Sequence, residues 1–210
     1  MSTNEIGLFE AIDTLRSMRH LKPDPVPEAA LHRILEAAIK APSGMNSQPW
    51  NFLVVRDADL RRRVGAFYRQ AFLEVYGDGG PGTRNLTPAD ERVRASAQHL
   101  ADHMGEAPVL LLVCLRHSYD RPPEGRAYSS ILPAVQNILL AARGLGLGTT
   151  LTSLHKRYER EVKELLGIPD HVETVALIPI GYPERGRFAP PPRRPVEEVT
   201  FGERWGQKLW

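Results

Sequence analysis

The sequence predicts a mixed α/β (α+β) domain, and three observations predict it. Apolar residues recur at helical spacing in several charged segments, short apolar runs of strand length stand between them, and proline- and glycine-rich punctuation separates the two kinds of segment. A chain of 210 residues with 42% hydrophobic and 25% charged residues has enough apolar material for one packed core, so residues 1–210 are read as one domain.

The elements follow in order. Leu8, Ile12 and Leu15 lie on one face of a short helix from Leu8 to Met18 that ends in a basic turn, Arg16-Ser17-Met18-Arg19-His20. The alternating prolines of Lys22-Pro23-Asp24-Pro25-Val26-Pro27 force an extended stretch, because each proline fixes its own φ and disfavours helix at the residue before it. A helix restarts after Pro27, running from Glu28 to Lys40 with Leu31, Ile34, Leu35 and Ala38 on one face, and Pro42 stops it. Residues 41–50, Ala41 to Trp50, carry every turn signal, and Asn51 to Arg56 reads as a strand.

Residues 57–77 read as a surface-exposed helix, and Gly77 to Thr83 as the start of a mobile loop near 77–87. A helix from Pro88 to Met104 precedes a buried strand, Val109 to Leu115, and a loop from Arg116 to Gly125 holds Pro122 and Pro123. The apolar helix Ser130 to Leu145 ends in Gly144-Leu-Gly-Leu-Gly148. A Thr-rich strand (Thr149 to Ser153), a charged helix (Lys156 to Leu166) and a strand (Glu173 to Ile180) follow. The arm 187–210 is proline-rich and carries two of the three tryptophans.

Composition narrows the function classes. A net charge of +2 is no nucleic-acid footprint. The longest apolar run, Pro108 to Leu115, is too short to span a bilayer, and the acidic start of the chain has no apolar leader segment. The single cysteine, Cys114, forms no intramolecular disulfide and sits among leucines as a small buried hydrophobe, which fits a reducing, cytoplasmic setting. A Gly-x-Ser-x-Gly elbow, a P-loop and a carboxylate pair at a recognisable spacing are all missing.

Five features remain. Arg16 and Arg19, three apart beside Ser17, suit a phosphate held by two guanidinium forks and a hydroxyl, although a solvated basic turn has the same composition. Arg193 and Arg194, stiffened by flanking prolines, form a second such clamp or a solvated linker. Ser43, Asn46, Ser47 and Gln48 place amides and hydroxyls on a proline-bounded turn, which suits a planar heterocycle or a plain connection anchored by Trp50 in the core. Gly144 to Gly148 lie between a helix and a strand, the reverse of the Rossmann order, and read as a helix end and tight turn. His99 and His103 have the spacing of two zinc ligands, but no third ligand is evident and no metal is expected.

Taken together, Arg16-Ser17-Met18-Arg19 before Lys22 to Pro27, then Ala41-Pro-Ser-Gly-Met-Asn-Ser-Gln-Pro-Trp50, resembles the N-terminal signature of the FMN-dependent nitroreductase family. Further matches are Glu106-Ala-Pro-Val-Leu-Leu, Pro133-Ala-Val-Gln-Asn137, Ala141 to Thr150, Ile178 to Pro183, and Arg193-Arg-Pro195. The resemblance implies a central, mostly antiparallel sheet flanked by helices, in an intertwined homodimer with one FMN per subunit at the interface. It implies that Arg16, Ser17, Met18 and Arg19 lie by the phosphate and ribityl chain, joined by Arg193 or Arg194. Pro42, Ser43, Gly44 and Asn46 would come from the second subunit and face the isoalloxazine, while Thr150, Leu151 and Thr152 line the ring.

The resemblance also explains the missing catalytic side chains, since the flavin carries the hydride chemistry and the protein binds, orients and tunes it. It implies a ping-pong cycle in which NAD(P)H reduces the flavin and a nitroaromatic or quinone then takes the same face. Dehalogenation, flavin fragmentation and a redox-sensing role with little turnover are the alternatives on the same fold. Two departures stand out: Leu15 where many members have an additional arginine, and Ser153 near where some place an acidic residue.

Overall fold

The computed structural model describes residues 6–78, 87–116, 126–185 and 187–210. The loop expected near 77–87 and the loop with Pro122 and Pro123 lie almost entirely outside the described residues, as does the start of the chain.

Four strands form one sheet: β1 (Trp50–Val55), β2 (Val109–Arg116), β3 (Gly148–Thr149) and β4 (Val172–Gly181), in the order β1-β2-β4-β3 with every neighbouring pair antiparallel. Six α-helices are present among the described residues: α1 (Leu8–Thr14), α2 (Glu28–Ala38), α3 (Ala58–Tyr76), α4 (Pro88–His103), α5 (Arg126–Gly144) and α6 (Glu159–Leu166). The mixed class and the mostly antiparallel sheet are therefore as expected.

The alternation of β2 organises the core. Val109, Leu111, Val113 and Leu115 pack with Leu31 and Ile34 of α2 and Ile131 and Ile138 of α5. Leu110, Leu112 and Cys114 pack with Val64, Tyr68 and Phe72 of α3, Leu100 of α4 and Val162 of α6. Successive side chains of a strand point to opposite faces, so a strand covered on both sides reads as an unbroken apolar run, and all but the last residue of β2 are buried. Trp50 closes the first core and is 8% exposed.

Several boundaries move. Helix α1 stops at Thr14 because Leu15 is extended (φ −65°, ψ 125°), which frees Arg16 to Arg19 from helical geometry. The Thr-rich strand is cut to Gly148–Thr149, with a single further bridge from Thr152 to Leu177. The charged helix divides into a 3-10 turn over Leu154–Tyr158 and α6. The largest correction concerns residues 57–77. They do form a helix, but it is not a surface element: Val64, Gly65, Tyr68, Ala71 and Phe72 are buried. Its many arginines mask an apolar face one residue in three or four wide.

Helix α5 ends as the glycines imply. Gly146 (φ +74°) occupies the left-handed region, and the Leu147 amide donates to the Ala142 carbonyl at 2.8 Å, a tight reversal that sends the chain directly into β3.

Candidate functional site

The basic turn is fixed from both ends. After Leu15, Ser17 pairs in parallel with Thr149 of β3, the Met18 amide donates to the Thr149 carbonyl at 2.8 Å, and the Thr150 hydroxyl donates to the Met18 carbonyl at 2.9 Å. Met18 is buried, whereas Arg16 and Ser17 are exposed and Arg19 is half-buried. The approach is close enough to require glycine at 148, where an added Cβ would stand 2.8 Å from the Met18 Cβ and 3.0 Å from Leu21 Cδ2.

Beside this turn lies a cleft of about 310 Å³. Arg19 lines it together with Thr150, Leu151 and Thr152, so four of the residues singled out in the sequence meet there. Its other lining comes from α3 (Tyr68, Phe72, Tyr76) and α4 (Asp90, Val93, Arg94, Ala97), with Leu154 completing it. The aromatic residues recur at i, i+4 and i+8, a stripe visible in the sequence but assigned no role there.

Electrostatically the cleft is set up for an anion. Arg19 makes no hydrogen bond or ion pair among the described residues. Burial lowers its guanidinium pKa, and the neighbouring Arg16 charge lowers it further against the opposing pull of Tyr68. Burial raises the Tyr68 hydroxyl pKa, while the Thr152 hydroxyl, which donates to it at 3.4 Å, and Arg19 pull it down. A partly desolvated guanidinium without a partner is costly and is relieved by a bound carboxylate or phosphate.

The proline-bounded turn is built but stands elsewhere. Pro42, Gly44 and Asn46 are exposed and Ser43 is half-buried, and none of them lines the cleft of its own chain. The Ser43 hydroxyl accepts from the Gln48 amide at 3.0 Å and the Ser130 hydroxyl from the Gly44 amide at 3.2 Å. Met45 (φ +53°), Asn46 (+52°) and Gln48 (+45°) all occupy the left-handed region, a concentration of backbone strain in an exposed turn whose Met45 side chain is fully open. Arg193 and Arg194 are exposed, with an Arg193 guanidinium nitrogen donating to the Pro192 carbonyl at 3.0 Å. The chain alone does not bring them to the cleft. Leu15 is half-buried at the end of α1, and Ser153 is exposed.

His99 and His103 are joined by a third imidazole that the sequence pattern did not suggest. His20 stacks on His99 with ring centroids 3.6 Å apart, and His99 and His103 are 4.4 Å apart. His20 and His99 are stacked and His103 is tilted against His99, and among the described residues no group of three or more His, Cys, Asp and Glu is arranged to hold a metal ion. Cys114 is buried, and burial pushes its thiol up to about 11. No described helix is long and apolar enough to cross a membrane.

Fold and site together define an α+β protein whose cleft gathers basic and aromatic groups. The model of the nitroreductase family matches residues 12–182, and the chain belongs to that family. A putative NADH dehydrogenase/NAD(P)H nitroreductase of Methanothermobacter thermautotrophicus is 32% identical over 182 residues, 86% of this chain and 79% of that protein. Iodotyrosine deiodinase 1 of Rattus norvegicus is 29% identical over 191 residues, covering 89% of this chain and 65% of the deiodinase. Among solved structures, a putative nitroreductase in complex with FMN from Desulfovibrio desulfuricans superposes with a TM-score of 0.67 at 28% identity, covering 96% of this chain and 99% of that one.

Proposed function

We propose that this chain is an FMN-dependent oxidoreductase that takes reducing equivalents from NAD(P)H and passes them to nitroaromatic or quinone-type acceptors. The observation that carries the reading is Arg19, a half-buried guanidinium at the cleft that has no anionic partner among the described residues and is close enough to Arg16 to feel its charge. Two such groups on a turn pinned by β3 suit a phosphate dianion. Family membership and the similarity to FMN-bound and NAD(P)H-named proteins support the same assignment.

Bound FMN supplies the hydride chemistry, and the chain binds and orients it. Arg16, Ser17, Met18 and Arg19 would hold the phosphate and ribityl chain, with Arg193 and Arg194 of the arm closing over them. Thr150, Leu151 and Thr152 would line the ring, and their position in the same cleft as Arg19 supports this. Pro42, Ser43, Gly44 and Asn46, which do not line their own cleft, would reach the ring of a second copy.

That arrangement calls for a homodimer of single-domain subunits. An apolar groove between α1, α2 and α5, bordered by Leu8, Ile39, Leu140 and Leu145, supports it, as do the exposed Phe9 and Ile12 and the arm's exposed Trp205 and Trp210. A reducing cytoplasm suits the one thiol.

The test is a visible spectrum of the purified protein under nitrogen, before and after NADH or NADPH. A yellow protein that either nicotinamide bleaches is expected, and a colourless protein that also fails to take up added FMN overturns the reading. The similarity to iodotyrosine deiodinase favours a second reading, reductive dehalogenation of an aromatic. Anaerobic reoxidation of the reduced protein by a nitroaromatic, a quinone and a halophenol separates the two by which acceptor restores the colour fastest.

A further inference from the structure

Arg143, at the end of α5, is one of the few charged residues that are buried among the described residues, with only 9% of its side chain exposed. An isolated buried guanidinium is strongly destabilising, so what surrounds it indicates what it is for. Three contacts satisfy it. Its Nε donates to the Thr14 hydroxyl at 2.9 Å, a terminal nitrogen lies 3.5 Å from the Glu10 carboxylate, and the ring of Phe188 lies 4.2 Å from the guanidinium carbon in a cation–π contact. Thr14 is itself held, donating its hydroxyl proton to the Glu10 carbonyl.

These partners share one property. Thr14 is the last residue of α1, two before Arg16, and Phe188 stands five residues before Arg193 on the arm. Arg143 also immediately precedes the Gly144 to Gly148 reversal that delivers β3 to the Met18 amide. One side chain thus ties together the roots of the basic turn, of the arm and of the strand against which the turn lies.

We infer that Arg143 is a positioning residue for the cofactor phosphate, setting the relative placement of Arg16 and Arg19 on one segment and Arg193 and Arg194 on the other. The inference rests on the FMN reading above. Arg143 does not itself need to touch the phosphate. Its planar fork serves Thr14 and Glu10 while its face receives Phe188, a combination that a lysine ammonium does not reproduce.

The test separates phosphate-dependent binding from general damage by comparing FMN with riboflavin, which lacks the phosphate. Flavin-loaded protein is diluted and released flavin is read by its fluorescence, and the protein is reloaded with riboflavin for the comparison. Arg143→Gln is expected to raise the Kd for FMN about tenfold and to leave that for riboflavin within about twofold, collapsing the preference for FMN. Arg143→Lys is expected not to restore it. Phe188→Leu keeps the Thr14 and Glu10 contacts and tests the arm alone, with a partial loss of preference expected even if Arg143→Gln fails to fold. Equal weakening of both flavins, or an unchanged preference in Arg143→Gln and Phe188→Leu, overturns the inference. A wild-type protein that binds riboflavin as tightly as FMN overturns the phosphate reading itself.

Discussion

Thr150 donates its hydroxyl proton to the carbonyl of Met18 across 2.9 Å, and both residues are buried. The bond spans 132 residues and fastens the basic turn to the segment that follows β3. A buried carbonyl stripped of its donor costs about 1 to 3 kcal/mol, so Thr150→Val, which keeps the shape and removes the hydroxyl, should lose that much stability. Urea denaturation followed by circular dichroism measures it, and a midpoint unchanged from wild type contradicts the role given to this bond.

Gly148 faces the same segment from the other side. Its backbone does not require glycine, but a Cβ there would press on the Met18 Cβ at 2.8 Å, an atom too near the main chain to swing away. Gly148→Ala should displace the turn, costing about 1 to 3 kcal/mol as overpacked sites do, and should lower flavin content on purification. Gly144→Ala, where a Cβ would meet nothing within 4 Å, is the matched control.

The phosphate assignment makes Arg16→Ala and Arg19→Ala each weaken FMN binding by about 1 to 3 kcal/mol, as charge-assisted contacts do. Because Arg19 is half-buried and Arg16 exposed, the Arg19 change should be the larger and the less sensitive to salt. FMN affinity unaltered in both variants rules the assignment out.

How much of this could be read from the sequence differs between elements for physical reasons. Strands β2 and β4 were legible because both faces are covered, leaving apolar runs from Val109 to Leu115 and from Val175 to Ile180. The turn residues Arg16 to Arg19 were legible as a motif. Leu15's departure from helix was not, since leucine is a good helix former and the extended geometry is imposed by the pairing of Ser17 and Met18 with Thr149. The buried face of α3 was hidden behind Arg61, Arg62, Arg63 and Arg69, and with it the aromatic wall of the cleft. Arg143 and Phe188 are 45 positions apart and meet only in the fold.

A pH dependence follows from His155, which is fully buried and whose imidazole burial pushes down to about 4 against the opposing pull of Glu159. With an unfolded value near 6.5, the unfolded chain takes up a proton first, so stability is lost as the pH falls from about 6.5 toward 4, by up to about 3 kcal/mol. Above that window His155 is neutral in both states and contributes no pH dependence. The urea midpoint measured between pH 7 and 4.5 should therefore fall less steeply in His155→Phe than in wild type. Parallel curves refute the assignment.

Arg94 lies half-buried in the α4 wall of the cleft that the aromatic stripe of α3 also lines, and has no hydrogen-bond or ion-pair partner among the described residues. Asp90, one turn earlier, is occupied: its carboxylate accepts from the Thr87 amide at 3.0 Å and from the Thr87 hydroxyl at 2.6 Å, which holds its pKa below the usual aspartate value. The aromatic residues suit a planar acceptor, and the unpaired guanidinium suits one that carries a carboxylate. Arg94→Ala should accordingly raise KM for 4-nitrobenzoate about tenfold, while KM for nitrobenzene and kcat for both stay near wild type. The comparison isolates the charge, because the two acceptors differ only in the carboxylate. Equal changes in KM for the two compounds would show that Arg94 shapes the cleft without reading the substrate's charge.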